Sequence, residues 1–248
     1  MKTYHISVLL DLSKDSEIVL ANAVGLAKAI GGVVEVFHVK SPTAFYKDDT
    51  SAKVNLEVMV SKFRTKGALP INFIIKKGAV KKRVLEYVSS EQPDFLVLGK
   101  TRRFSSVFGR SITDLVIKHT DHTNILLLGK DDELYSFKEM NLGIFGGGIK
   151  ESGLQIIKNL NPKDDNPVRL FHIKKDKVSK TKKYLGQKTI SYVFSKGTNA
   201  LDSMVNYVTK TNIQLLCVSK EEGKHLWFKT SPIKAVIRKS KIPLMILA

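Results

Sequence analysis

The amino-acid sequence contains the same pattern twice, and this repeat limits the folds that are open to it. Over residues 87–127 the pattern recurs 120 residues later without a gap, so that Tyr87 aligns with Tyr207 and Ser111 aligns with Ser231. Repeat units of solenoid proteins reach only about 50 residues. The sequence therefore predicts a duplicated domain, with two halves that fold alike.

The composition indicates a globular protein. Of the 248 residues, 43% are hydrophobic, which fits two domains of ordinary size that each bury a core. No apolar run approaches the ~20 residues that cross a bilayer, and the N-terminus lacks the apolar stretch and cleavage site of a signal peptide. The single cysteine, Cys217, excludes an internal disulfide and is interpreted as a buried, unreactive thiol. We therefore expect a soluble, cytoplasmic protein with no membrane partner.

The net charge of +18 is the one unusual feature of the composition. Excess lysine and arginine raise the affinity of a surface for polyanions, so that nucleic acid has to be considered as a partner. The densest basic run, residues 174–183, has no aromatic side chains between its lysines that would stack bases. We interpret the charge as a solvated surface, and we do not expect a nucleic-acid partner.

The first half alternates short apolar strands with amphipathic helices. Residues 6–10 form an apolar run that is too short for a helix and lacks polar alternation, as expected for a strand covered on both faces. A helix follows, with Ser16 as its expected N-cap and with Gly31 and Gly32 at its end. Further strands are predicted at residues 33–39, 71–75, 95–98 and 125–128, and further helices at residues 54–65, 80–90 and 111–119.

The second half repeats this order. Its strands are predicted at residues 142–145, 168–173, 190–194, 213–218 and 244–247, and its helices at residues 153–160, 200–209 and 232–239. Alternating strands and helices produce a parallel sheet wrapped by helices, because each right-handed crossover must pass over a face of the sheet. We predict an α/β protein of two tandem doubly wound domains with five-stranded parallel sheets, at residues 1–130 and 139–248, joined by a linker at residues 131–138.

No arrangement of residues demands an enzyme. His38 stands at a strand end, where packing or a backbone hydrogen bond is a simpler role than general-base catalysis. His119 and His122 lack a further ligand in the sequence that would complete a zinc site. Neither a P-loop motif nor a nucleophile elbow is present. We therefore predict no catalytic residues and no metal site.

Several motifs, in their order and spacing, resemble the universal stress protein family in its tandem form, across essentially the whole chain. They are Val8-Leu9-Leu10-Asp11, Phe37-His38-Val39, the block at residues 94–99, Phe108-Gly109-Arg110-Ser111-Ile112, and Ile242-Pro243-Leu244-Met245-Ile246-Leu247. The resemblance implies a fold similar to the adenine-nucleotide alpha hydrolases and a non-catalytic role in the stress response, although weak ATP hydrolysis stays open. It also implies pairing through the last strand, so that an intrachain pseudo-dimer and a homodimer are expected.

The resemblance further implies a site for ATP or a related adenine nucleotide in the first half. In nucleotide-binding members of the family, an aspartate after the first strand contacts the adenosine, and a loop of the form GxxGx9G[S/T] after the fourth strand cradles the phosphates. Glycines let backbone N–H groups close around an anion, and the N-terminus of the next helix favours negative charge. Asp11 matches this aspartate and Gly99 matches the first glycine of the loop. A simple turn or helix-capping role for Asp11 remains the alternative.

The loop of this chain departs from the family pattern. Arg102 stands at the second glycine position, and the loop is about two residues short, so that Arg110 or Gly109 takes the third position. Arginine side chains are able to neutralise phosphate where the backbone cradle is spoiled. Together with the end of the second strand, the predicted nucleotide site consists of Asp11, Val39, Gly99, Arg102, Gly109, Arg110 and Ser111.

The second half departs further from the family pattern. Gly147 replaces the aspartate and Ser219 the first loop glycine, and the adjacent carboxylates of Glu221 and Glu222 would repel phosphate. We expect this degenerate half to bind no nucleotide. The alternative interpretation is an interaction or dimerisation module that has lost nucleotide binding in both halves. A defined oligomer that is purified without nucleotide would favour that alternative.

Overall fold

The computed structural model of the protein describes residues 2–41, 49–64, 69–100, 111–129, 132, 136–138, 140–146, 149–162, 166–174, 188–220 and 232–248. The chain divides into two compact units, Met1–Ser136 and Phe137–Ala248. This boundary lies inside the segment 131–138 that the sequence predicts as a linker. Within each unit, strands and helices alternate along the chain.

The first unit contains five strands and four helices among its described residues. They are β1 (Tyr4–Leu10), α1 (Ser16–Ile30), β2 (Gly32–Lys40), α2 (Asp49–Arg64), β3 (Ile71–Lys77), α3 (Val80–Glu91), β4 (Phe95–Gly99), α4 (Ile112–His119) and β5 (Asn124–Leu128). The strands lie in the order β3-β2-β1-β4-β5, and neighbouring strands are parallel. The order reverses at β1, since the chain proceeds outward to β3 and returns to β4 on the other side. In such doubly wound sheets, ligands bind beyond the carboxyl ends of the strands at this reversal.

Helix α1 illustrates why these residues form these elements. Its apolar positions recur at helical spacing, and Leu20, Ala23 and Ala27 are fully buried. The helix ends at Gly31, whose φ of 77° is a left-handed conformation that glycine adopts without steric cost. The prediction that Ser16 is the N-cap is wrong. Ser16 is already the first helical residue, and its hydroxyl donates to Asp11 instead.

The second unit has the same architecture. Its elements are β6 (Leu142–Phe145), α5 (Glu151–Leu160), β7 (Val168–Lys174), β8 (Thr189–Ser195), α6 (Ala200–Lys210), β9 (Leu215–Ser219), α7 (Pro232–Lys239) and β10 (Leu244–Leu247). The strands lie in the order β8-β7-β6-β9-β10, again in parallel register. Residues 175–187, which separate β7 from β8, lie outside the described residues. The predicted fold class is confirmed. In the described part of the chain, no helix combines the length and the apolar composition that crossing a membrane requires.

Candidate functional site

Three of the predicted site residues meet at the carboxyl edge of the first unit, where the strand order reverses. Strands β1 and β2 are in register up to the pair Leu10 and His38, so that Val39 lies beside the position at which Asp11 leaves β1. Strand β4 pairs with the other side of β1 and ends at Gly99 on the same edge. The structure thus places Asp11, Val39 and Gly99 at the same edge of the sheet.

The carboxylate of Asp11 is exposed and is held in place by two local hydrogen bonds. Its Oδ1 accepts from the backbone N–H of Ser13 at 2.9 Å and from Oγ of Ser16 at 3.2 Å. Partial loss of solvent raises the pKa of Asp11, but the hydrogen bonds from Ser13 and Ser16 lower it by more, so that its pKa lies below the usual value. Asp11 therefore presents a fixed negative charge at neutral pH.

The backbone turns sharply directly after Asp11. Leu12 has a φ of 58°, in the left-handed region that costs a non-glycine residue roughly 1–2 kcal/mol. Strained backbone of this kind concentrates at functional sites, where the surrounding structure holds it in place. Sequence analysis missed this residue, because leucine is not a turn-forming type and gives no signal for a left-handed conformation.

His38 fastens the end of β2 to the end of β1. Its buried ring donates a hydrogen bond from Nδ1 to the carbonyl oxygen of Leu10 at 2.8 Å, since a carbonyl can only accept. The predicted backbone hydrogen bond of His38 is confirmed. This contact fixes the main chain immediately before Asp11, so that His38 helps to position the candidate site.

Gly99 is a glycine that the packing of the described residues does not require. A Cβ built on it would lie 3.7 Å from Cγ2 of Val19 and 3.9 Å from the carbonyl oxygen of Leu128, which are ordinary van der Waals distances. The backbone of Gly99 also avoids the left-handed region that would favour glycine. An alanine at this position would therefore be accommodated against α1 and β5 without a clash.

Ser111 caps α4, the helix that follows the loop after β4. Its Oγ accepts from the backbone N–H of Asp114 at 3.0 Å and lies 3.0 Å from Oδ2 of the same residue, to which it donates. The hydroxyl is therefore already engaged at the helix N-terminus. The other predicted loop residues, Arg102, Gly109 and Arg110, lie outside the described residues.

Asp132 is a buried carboxylate that the sequence analysis did not single out. Only 6% of its surface is exposed, and its Oδ2 accepts from the backbone N–H of Gly129 at 2.6 Å. Gly129 follows β5 directly, one strand away from Gly99. Asp132 escaped notice because it stands among acidic neighbours, which predicts a solvated linker and not a buried group.

The same edge of the second unit is built differently. Ser219, at the place of Gly99, is buried and pairs with Leu247. Gly146 follows β6 with a φ of 94°, and its N–H donates to the carbonyl oxygen of Phe171 at 3.3 Å. Gly147, Glu221 and Glu222 lie outside the described residues. Across the ranges that the structure does describe, no group of three or more metal-ligating side chains occurs.

Comparisons with known proteins agree with this architecture. A universal stress protein from Archaeoglobus fulgidus DSM 4304 superposes with a TM-score of 0.69 at 14% identity, over 98% of this chain and 96% of that one. A putative universal stress protein from Pseudomonas aeruginosa UCBPP-PA14 reaches 0.64 at 9% identity, over 99% and 93%. A universal stress protein in complex with cAMP has a TM-score of 0.41 at 20% identity, and it covers 52% of this chain and 100% of its own.

The two likenesses with TM-scores of 0.69 and 0.64, both at low sequence identity, establish the fold. No curated protein sequence is significantly similar to the chain. The sequence model of the universal stress protein family matches residues 3–124, which comprise β1 to the start of β5. The first domain, to which this match is confined, therefore belongs to the universal stress protein family.

Proposed function

We propose that the first domain binds an adenine nucleotide at the edge formed by Asp11, Val39 and Gly99, and that the protein acts as a non-catalytic regulatory module of the stress response. The nucleotide would lie where the strand order reverses, which is the usual place for a ligand in this type of sheet. A non-catalytic role is supported by His38, whose Nδ1 is committed to the main chain.

The observation that carries the proposal is the presence of glycine at position 99. A glycine within a strand weakens it by roughly 0.5–1 kcal/mol relative to alanine. At position 99, neither packing among the described residues nor the backbone conformation accounts for the glycine. A ligand that approaches the main chain closely would account for it. The adjacent ionised carboxylate of Asp11 supplies an acceptor for the hydroxyl groups of a ribose.

The second domain lacks both features. Ser219 occupies the place of Gly99 with a buried side chain, and the sequence has Gly147 where the first domain has Asp11. We therefore assign the nucleotide to the first domain alone. The second domain would contribute packing, association or regulation.

Calorimetry with ATP, ADP and AMP tests the proposal through Gly99→Ala. The added methyl group fits the free protein, so that folding should be unaffected, yet it fills the space that the ligand would use, and the affinity should fall at least tenfold. Gly197→Ala is the matched control in the second domain, because a Cβ there meets nothing within 4 Å and is likewise accommodated without a clash. Asp11→Ala should weaken binding as well. Equal affinities of the wild type and Gly99→Ala would refute the site.

A second candidate function is favoured by the local hydrogen bonds. Asp11 and Ser111 are both satisfied within their own turns, as expected if they serve only the fold. The protein would then be an interaction or dimerisation module without a nucleotide. Wild-type protein that responds to none of the three nucleotides and forms a defined oligomer would support this function and exclude the first.

A further inference from the structure

A closed polar network lies between the sheet and α3 in the first domain. The hydroxyl of Tyr87 donates to Oε1 of Glu35 at 2.6 Å and lies 2.8 Å from Oγ of Ser7, which therefore donates to it. The ring of Tyr87 stacks on Phe37, with centroids 3.9 Å apart and an interplanar angle of 11°. The carboxylate of Glu35 is the acceptor that completes this network.

The second domain has the opposite charge at the position of that carboxylate. Ser7 pairs with Glu35 across β1 and β2, and Gly143 pairs with Arg169 across β6 and β7. The repeat places Tyr207 at the position of Tyr87. A guanidinium thus replaces the carboxylate, and a glycine without a hydroxyl replaces the serine.

This exchange leaves a buried cationic donor without an acceptor. Nη1 of Arg169 is buried and has no hydrogen-bond partner among the residues that the structure describes. The phenol of Tyr207 bonds to Tyr192 instead; this bond raises the pKa of Tyr207, and the nearby charge of Arg169 opposes that rise. A charged donor that loses water without gaining an acceptor is unfavourable, so that this position favours an anion.

Arg169 is half-buried beside a cluster of aromatic rings. Arg169 shares a sheet face with Phe171, two residues along β7, and the rings of Phe171, Tyr192, Phe194 and Tyr207 have neighbouring centroids 5.1–6.5 Å apart. Beside Arg169, the edge strand β8 presents Ile190, which is 41% exposed. Lys188, whose carbonyl oxygen accepts from the backbone N–H of Val168 next to Arg169, is a further exposed cation.

We infer that the second domain binds an oxyanion, a phosphate or carboxylate group, at Arg169 between β7 and α6. The planar guanidinium presents paired N–H donors that match such a group, and the hydroxyls of Tyr192 and Tyr207 lie within the same cluster. Arg169 is the second residue of β7, near the amino end of the strand. The site is therefore separate from the nucleotide edge, which lies at carboxyl ends in the other domain.

Thermal unfolding with sodium phosphate or sodium acetate, against sodium chloride at equal ionic strength, tests this site. Phosphate or acetate should raise the Tm of the wild type by more than chloride does. Which of the two anions raises it shows whether the site takes a phosphate or a carboxylate group. In Arg169→Met, the apparent Kd for the anion should rise roughly tenfold or more, as expected when a hydrogen bond to a charged group is lost. Arg238→Met, which removes an equal charge from an exposed position on α7, should leave the response intact.

Two further variants test the charge at position 169 and the independence of the two sites. Arg169→Glu restores the charge that the first domain carries at this place, so that it should fold and lose the response. Gly99→Ala should retain the oxyanion response even if nucleotide binding is lost, which separates this site from the proposed function. A wild-type response no larger than that to chloride, or the same response in Arg169→Met, would overturn the inference.

Discussion

Replacing Tyr87 by phenylalanine should destabilise the first domain substantially, although it removes a single oxygen atom. The ring keeps its stacking on Phe37, so that no cavity forms. Two hydrogen bonds are lost, one to the carboxylate of Glu35 and one from Ser7, whose side chain has no exposed surface. A neutral hydrogen bond contributes about 0.5–1.5 kcal/mol and one to a charged group about 1.5–3 kcal/mol. We expect the free energy of unfolding to fall by about 2–4 kcal/mol.

Native-state hydrogen exchange is the suitable assay, because a chain of two domains need not unfold in a single step. The amides of β1 and β2 report on the first domain directly. Tyr207→Phe is the matched control in the second domain, where the phenol bonds to Tyr192 and not to a carboxylate, and its effect should be smaller. A loss below about 1 kcal/mol for Tyr87→Phe, or equal losses for the two variants, would refute the reasoning.

The same network predicts a dependence on alkaline pH. Burial raises the pKa of Tyr87, and the hydrogen bond to Glu35 raises it further, above the ordinary value of 10.0. A raised pKa means that the folded state favours the neutral phenol. The stability difference between the wild type and Tyr87→Phe should therefore be constant below pH 10 and should decrease as the pH rises above it.

Two further predictions concern single side chains. Cys217 is fully buried, and burial raises the pKa of its thiol to about 12; a thiol reagent should therefore label it only after unfolding, and rapid labelling of the folded protein would contradict this. Ser111→Ala should cost about 1 kcal/mol of stability in urea unfolding through loss of the α4 cap, whereas Ser111→Thr retains an oxygen and should cost less. Equal effects of the two substitutions would show that the cap is unimportant.

The fold could be predicted because its strands are covered on both faces. Such strands are unbroken apolar runs, and β10 has the bounds that the sequence predicts. The same is true of the helix α7 that precedes it. Helix ends were less predictable where a neighbouring side chain competes for the capping group, as when the carboxylate of Asp11 accepts the hydrogen bond of the Ser16 hydroxyl. The helix then begins at the serine itself and not after it.

The candidate site could be predicted only in part, for physical reasons. Asp11 and Gly99 follow apolar strands, and the sheet topology brings strand ends together. Leu12 gave no signal, because its strain is imposed by its neighbours. The buried state of Asp132 and the lone donor of Arg169 depend on which residues face them across the fold, and a sequence does not reveal these contacts.

Gly143 limits the exchange of strands between the two similar domains during folding. A methyl group on Gly143 would lie 2.9 Å from a ring carbon of Phe171, whereas the first domain has Ser7 at this place. If β1 took the place of β6 in the second domain, the side chain of Ser7 would therefore clash with the ring of Phe171. Tandem copies are prone to exchange segments while they fold, and this mismatch acts against that error in one direction.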